Sequence, residues 1–222
     1  MLTYAEKLAQ FCESNIELKP GEMRKYHSLS VCVLECVYSL RAKYGSATHV
    51  VDRYAASYMD GSAASAGDTI SMLLERIDKC GGPGLFADKV LKNHQKIRGI
   101  SKADVCYQLA YYLRCLRIET IEDFRNYESQ ELLEVVLRGV KGMGDAGVSY
   151  LFMLTGDPNR CKPDVHIHHC VRDACGMDMC NKDCQTLFTQ AVELLQDRHK
   201  GLTVRDLDYA VWSHYRRKKG TC

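Results

Sequence analysis

Two stretches of the chain bring together residue types that could do chemistry. The first is LRGVKGMGDAGVSYL, Leu137 to Leu151, in which Gly142-Met143-Gly144 breaks a good helical pattern that resumes at once. Glycines at such a turn can take φ > 0 and let another surface approach the backbone. The second helix starts at the break, so its first N–H groups have no intrahelical partner and can meet a phosphate. A plain helix–turn–helix corner with no ligand explains this stretch equally well. The second is TGDPNRCKPDVHIHH, where Asp164 follows Pro163 directly and opens a new segment. Proline does not continue a helix, so the chain turns there. Asp164 is then either an N-cap or a carboxylate held at the rim of a cleft.

The same segment holds His166, His168 and His169, with Cys170, Cys175, Cys180 and Cys184 after them. Such a cluster raises the question of zinc. A helix starting at Asp164 spreads those side chains over several faces, and the spacing matches no standard metal motif, so no metal is expected.

The elements that must position these residues read as helices. TYAEKLAQFCESN is a first helix, and SLSVCVLECVYSLRAKYG a second, mostly buried one ended by Gly45. DTISMLLERIDKCGGPG opens with Asp68 as an N-cap and stops at Gly81-Gly82-Pro83. Ser101/Asp104, Thr120/Asp123 and Thr203/Asp206 show a hydroxyl residue followed three positions later by an acid, a first-turn capping pattern. NKDCQTLFTQAVELLQDRHKG places Leu187, Phe188, Ala191, Val192 and Leu195 on one helical face. Strand-like alternation is nearly absent, so the expected fold is all-α with about ten helices.

Bulk properties narrow the field. The chain has 222 residues, 46% hydrophobic and 26% charged, enough for a packed core. The formal net charge is +2, so an anionic partner must be met by a local basic patch. No apolar run reaches the roughly 18 residues of a membrane span. The start, MLTYAEKLAQF, lacks the pattern of an export signal. Twelve cysteines in such a chain read as reduced thiols, several of them core residues, in a cytoplasmic protein (nucleoid-associated if bacterial).

Taken together, LRGVKGMGDAGVSYL and KPDVHIHHCVRDACG resemble the helix-hairpin-helix DNA glycosylase superfamily. DLDYAVWSHY resembles the closing helix of many members, and VLKNHQKIRGISKADVCYQLAYYL the middle helices of some. The resemblance covers roughly residues 25 to 217. It implies two helical lobes. Residues 29–154 form one, ending in the hairpin at 137–151; residues 1–28 and 155–222 form the other. It places a substrate cleft between them with Asp164 at its edge. It also implies that the hairpin backbone, through Gly142, Gly144 and Ala146 with Lys141, Met143 and Gly147 beside them, would hold a DNA phosphate. In the family a monovalent cation sometimes binds the hairpin carbonyls.

The chemistry follows from the substrate. A base inside a duplex is out of reach, so the nucleotide is flipped into a pocket. Cleaving the N-glycosidic bond builds positive charge on the sugar, and a fixed carboxylate stabilises that charge and activates water. Asp164 is the expected catalytic residue. The chain departs from the family twice. Ala146 stands where strand-cutting members carry a nucleophilic lysine, which predicts a monofunctional enzyme without strong lyase activity. Lys141 on the turn could stand in, but reads better as a phosphate contact or a solvated charge. Cys170, Cys175, Cys180 and Cys184 are spaced x4, x4 and x3, not the C-x6-C-x2-C-x5-C of the family's iron–sulfur members, so no [4Fe–4S] cluster is expected.

Other candidates are more diffuse. Tyr38 and Arg41 lie where an intercalating wedge is expected and could serve as wedge or phosphate contact; a core role for Tyr38 and a solvated surface charge for Arg41 compete with this. Tyr26, His27 and Glu35 would line a base pocket if the first buried helix borders the cleft. Asn93 and Gln95 could reach DNA or simply end a helix. Trp212 could stack on a flipped base or belong to the core. Arg216, Arg217, Lys218 and Lys219 form a basic tail suited to phosphate. The expected activity is thus that of a monofunctional DNA glycosylase in base excision repair, acting on double-stranded DNA with a damaged or modified base, with no obligate protein partner. A non-catalytic helix-hairpin-helix DNA-binding protein is the alternative, and a metal- or redox-linked role for the Cys/His segment is a second.

Overall fold

The computed structural model describes residues 2–19, 26–42, 45–59 and 68–219. Among them the chain is all-α, as the periodicity predicts. The helices are α1 (Tyr4–Asn15), α2 (Leu29–Ser39), α3 (Ser46–Tyr58), α4 (Ile70–Lys79), α5 (Pro83–Phe86) and α6 (Lys102–Cys115). They continue with α7 (Ile121–Arg125), α8 (Gln130–Gly139), α9 (Asp145–Thr155), α10 (Val165–Cys175), α11 (Asn181–Leu195) and α12 (Val204–Lys219). A π-helical turn, Ala87–Leu91, follows α5, and two short strands, β1 (Lys96–Ile97) and β2 (Ile100–Ser101), pair as an antiparallel hairpin. No helix among the described residues is long and apolar enough to cross a membrane.

The chain divides into two units, residues 1–24 with 157–222, and residues 25–156. In the first, α1 packs on α10 and α11, and α12 packs on the same two. The apolar stripe Ala5, Leu8, Ala9 and Cys12 of α1 meets Leu187, Phe188, Ala191 and Leu195 of α11 in one core. Full burial of each large side chain there contributes about 1.5–3 kcal/mol. Thr3 and Glu6 form a capping box at α1, and Thr203 and Asp206 exchange the same pair of bonds at α12, 3.0 and 3.1 Å.

In the second unit α2 is the central element, packed by α3, α6 and α9. Every residue from Leu29 to Leu34 is buried, as expected of a helix apolar all round. It is shorter than its sequence suggests: it ends at Ser39, and Arg41 takes φ +48°, so Gly45 begins α3 and does not end α2. Thr120 and Asp123 form the expected capping box at α7. At α6, Ser101 caps through the Ala103 N–H without Asp104.

Asp68 is not the cap of α4. Thr69 takes that role, its hydroxyl accepting the Met72 N–H. Asp68 instead turns inward, accepting from Tyr54 Oη at 2.7 Å and from Arg76 Nη1 at 2.5 Å, while Arg76 also donates to Tyr54 Oη at 2.6 Å. A long-range charge partner outbids a local cap because the site is nearly dry: the Asp68 side chain is 3% exposed and that of Arg76 14%. Removing one partner of such a pair strands the other. Asp68→Ala is expected to cost about 3–5 kcal/mol and Tyr54→Phe about 1 kcal/mol, read by urea unfolding.

Candidate functional site

The hairpin is the join of α8 and α9 in the second unit. Val140 ends α8, and the Met143 N–H closes a turn onto the Val140 carbonyl at 3.0 Å. Gly142 sits inside that turn at φ +106°, and a Cβ there would stand 2.9 Å from Ile97 Cγ2 and 3.3 Å from Val105 Cγ2. Glycine is therefore required twice over, by backbone sign and by contact with β1 and α6. Gly144 is the N-cap of α9 in extended backbone; it has no side chain with which to cap, and space lies open around it. The turn thus delivers a helix N-terminus that no side chain at Gly144 covers. Lys141 is exposed on the turn, and Ala146 is half-buried in the first turn of α9.

Met143 and Gly147 face the interior. Met143 is 3% exposed, its sulfur 3.2 Å from where a Gly147 Cβ would lie, and Cys36 Sγ donates to the Gly147 carbonyl at 3.2 Å. The Met143 side chain thus packs beneath the turn against Gly147 and does not extend toward solvent. Asp145, in the first turn of α9, adds a carboxylate near the positive helix end; Arg138 Nε offsets it at 2.9 Å. The carbonyls of Leu137, Val140 and Gly144 each already accept one backbone N–H, so a monovalent cation has only their second lone pairs to use.

Asp164 lies in the first unit, as the N-cap of α10. Its Oδ1 accepts the His166 N–H at 2.9 Å, and the side chain has no other hydrogen bond among the described residues. The N-cap role expected from sequence is thus real, and it leaves Oδ2 open on a half-exposed side chain. The turn before it is tight: the Asp164 N–H reaches the Lys162 carbonyl at 2.6 Å. The Lys162 N–H in turn donates to Asp208 Oδ1 at 2.7 Å. Asp208 belongs to α12 and is only 8% exposed. Burial, then the negative charge of Asp164, push its carboxyl up to about 8, against the partial relief of the Lys162 N–H.

Sequence reasoning missed Asp208. Its signal was there: Val204, Leu207, Asp208, Val211 and Tyr215 form one buried stripe of α12, and an acid on such a stripe is an anomaly. It also missed Lys102, 1% exposed, whose Nζ donates to the Tyr38 carbonyl at 3.1 Å and to Gln95 Oε1 at 2.8 Å.

Of the pocket candidates, Tyr26 and Glu35 do meet: Tyr26 Oη and Tyr150 Oη both lie 3.4 Å from the Glu35 carboxyl. His27 and Arg41 are exposed. Tyr38 is fully buried beneath Lys102, whose Nζ is 5.7 Å from the ring centroid, so it is a core residue and not a wedge. Asn93 and Gln95 are structural, both donating to Ser46 Oγ. Trp212 is half-buried in the first unit, stacked on Tyr209 at 5.5 Å with Arg216 5.1 Å above its ring. Arg216 and Arg217 are exposed; the side chains of Lys218 and Lys219 lie outside the described residues. In the Cys/His segment, His168 bonds Asn181 at 3.0 Å and approaches Cys184 Sγ at 3.7 Å, and Cys12 and Cys170 lie 4.0 Å apart. No group of three or more His, Cys, Asp or Glu residues suited to a metal ion occurs among the described residues.

Two predictions follow from this geometry. Gly142→Ala is expected to lose about 1–3 kcal/mol in chemical unfolding, whereas Gly144→Ala, with nothing within 4 Å of the new methyl, stays within about 1 kcal/mol of wild type. The second concerns pH. A carboxyl held at about 8 in the folded chain, from an ordinary 3.8, retains a proton that the unfolded chain has lost. Stability tied to that proton is full below pH 3.8 and declines as pH rises toward 8, at about 1.4 kcal/mol per pH unit for a single group. Asp208→Asn removes this decline, so its melting temperature gains on wild type between pH 5 and pH 8. Asp164→Asn lowers the Asp208 titration, as carboxyl NMR would show.

No curated protein and no solved structure matches the chain. The sequence model of one family, described as a domain of unknown function (DUF8548), matches residues 5–216. The chain therefore belongs to the DUF8548 family.

Proposed function

We propose that this protein is a monofunctional DNA glycosylase that hydrolyses the N-glycosidic bond of a damaged or modified base flipped from double-stranded DNA. The observation that carries the reading is Asp164: a helix-capping carboxylate with one oxygen tied to the His166 N–H and the other open, placed by a Lys-Pro turn. A carboxylate so fixed suits a developing sugar cation and an attacking water, because its orientation costs nothing at the moment of reaction. The uncapped α9 N-terminus at Gly144, with Lys141 beside it, suits a DNA phosphate. Ala146 in the first turn of α9 offers no amine for a Schiff base, so base removal ends in hydrolysis and an intact abasic strand. A cytoplasmic setting, at the nucleoid in a bacterium, goes with this reading.

The test is base release from a panel of single-lesion duplexes, with Asp164→Asn beside wild type and with alkali-treated and untreated lanes. Wild type is expected to release one base class, with strand breaks only after alkali. Asp164→Asn is expected to be slower by about 10²–10³-fold with DNA affinity retained. Release that survives in Asp164→Asn, or strand cutting without alkali, would overturn the mechanism. DNA binding by both proteins with no release from any duplex would favour a non-catalytic helix-hairpin-helix binder.

A further inference from the structure

The proposed reaction needs Asp164 in one place, and the cap bond to His166 fixes it only relative to α10. The chain enters α10 through Cys161-Lys162-Pro163, a segment with no regular structure. Pro163 has no N–H, so it cannot help to hold the entry. Bonds that do include the Cys161 N–H to Gln185 Oε1 at 2.9 Å, the Lys162 N–H to Asp208 Oδ1 at 2.7 Å, and the Asp164 N–H to the Lys162 carbonyl at 2.6 Å. The last two share Lys162, so the group that anchors its N–H also anchors the turn that ends in Asp164.

We propose that Asp208 is a positioning residue for Asp164: by accepting the Lys162 N–H from the buried face of α12, it fixes the Lys162-Pro163-Asp164 turn and so the point at which the Asp164 carboxylate stands. The inference rests on Asp164 being the catalytic carboxylate. An apolar residue at 208 would complete the stripe of Val204, Leu207, Val211 and Tyr215 without the cost of burying a carboxyl. The acid therefore does something packing does not require, and the hydrogen bond it accepts among the described residues identifies what. The titratable and charged groups that face it are Asp164 at the head of α10, Lys162 and the Cys161 thiol, which burial and then the Asp208 charge push up. Against Asp164, the proton that Asp208 retains at neutral pH matters: a neutral acid accepts the Lys162 N–H without setting a second negative charge beside the first. Asp208 does not touch substrate in this scheme; it acts through the backbone.

Amide hydrogen exchange, read residue by residue by NMR, tests this without relying on the reaction. Wild type, Asp208→Ala and Asp208→Asn are compared, with single-turnover base release and DNA affinity measured on the same samples. In Asp208→Ala the Lys162 and Asp164 amides are expected to exchange about tenfold faster or more, while the amides of Val171 and Leu187 hold. Base release is expected to slow by about 10²-fold at unchanged DNA affinity. Asp208→Asn, which keeps an acceptor oxygen, recovers most of both losses. Because Asn cannot ionise, its rate also lacks any decline through pH 8 that wild type shows. Three results would overturn the proposal: unchanged exchange of both amides in Asp208→Ala, loss of core protection together with them, or an Asn variant no better than Ala. If wild type releases no base from any duplex, the glycosylase reading fails, and the exchange data alone still decide whether Asp208 holds the turn.

Discussion

A carboxyl group in an apolar interior must be neutral, paired or hydrogen-bonded, and the entry to α10 in the first unit is tied to one such group. Asp208 sits between Leu207 and the Val211 turn of α12, among side chains that would exclude it if it carried a free charge. It meets the constraint by accepting the Lys162 N–H and by keeping its proton to about pH 8. The consequences run outward along the chain. The Lys162 carbonyl receives the Asp164 N–H, Asp164 caps α10, and α10 packs on α1 and α12 to close the core. A polar bond at the edge of that core thus sets the direction in which a helix leaves it.

The second unit solves the same problem twice more, each time with charge. Asp68, Arg76 and Tyr54 satisfy one another and tie α3 to α4. Lys102 donates hydrogen bonds to the Tyr38 carbonyl and Gln95 Oε1, joining the end of α2 to the start of α6. Neither set of bonds involves the hairpin. Ile97 of β1 and Val105 of α6 press on Gly142, and Met143 fills the space beneath Gly147. The turn is held from behind by packing, so its outer surface needs no side chain of its own, and the N-terminus of α9 can stay uncapped at Gly144.

What the sequence showed of this was the part governed by local rules. Apolar spacing located α1, α4 and α11, and the Thr/Asp pairs marked the starts of α7 and α12, because a cap and its acceptor lie within one turn of each other. The Gly-Met-Gly break and the Pro-Asp pair stood out for the same reason. What stayed hidden depended on distant partners. Asp68 obeys the spacing of a cap, yet bonds residues 14 and 8 positions away. Lys102 follows a capping serine, as solvated lysines often do, and is buried all the same. The β-hairpin turns at Arg98-Gly99, both at positive φ, without the Asn-Gly or Asp-Gly that usually announces such a turn. Asp208 was visible as an acid on an apolar stripe, but the stripe could not say that Lys162 was its partner, 46 residues away.

The distribution of nucleophiles bears on the proposed chemistry as much as the carboxylates do. A chain with twelve cysteines offers many candidates for covalent catalysis. Cys32, Cys106 and Cys161 are fully buried, however, and burial pushes their thiols up, away from the reactive thiolate. Cys184, beside His168, is pushed up to about 11 by burial, so the neighbouring imidazole does not activate it. Lys102 is committed to the Tyr38 carbonyl and Gln95, and in the proposed reading Ala146 stands where a lyase would carry its amine. Asp164 remains, with one oxygen fixed and one open. A carboxylate in that state suits orienting water toward an electron-poor carbon better than forming a lasting adduct. That is why a hydrolytic reading fits these residues better than a lyase one.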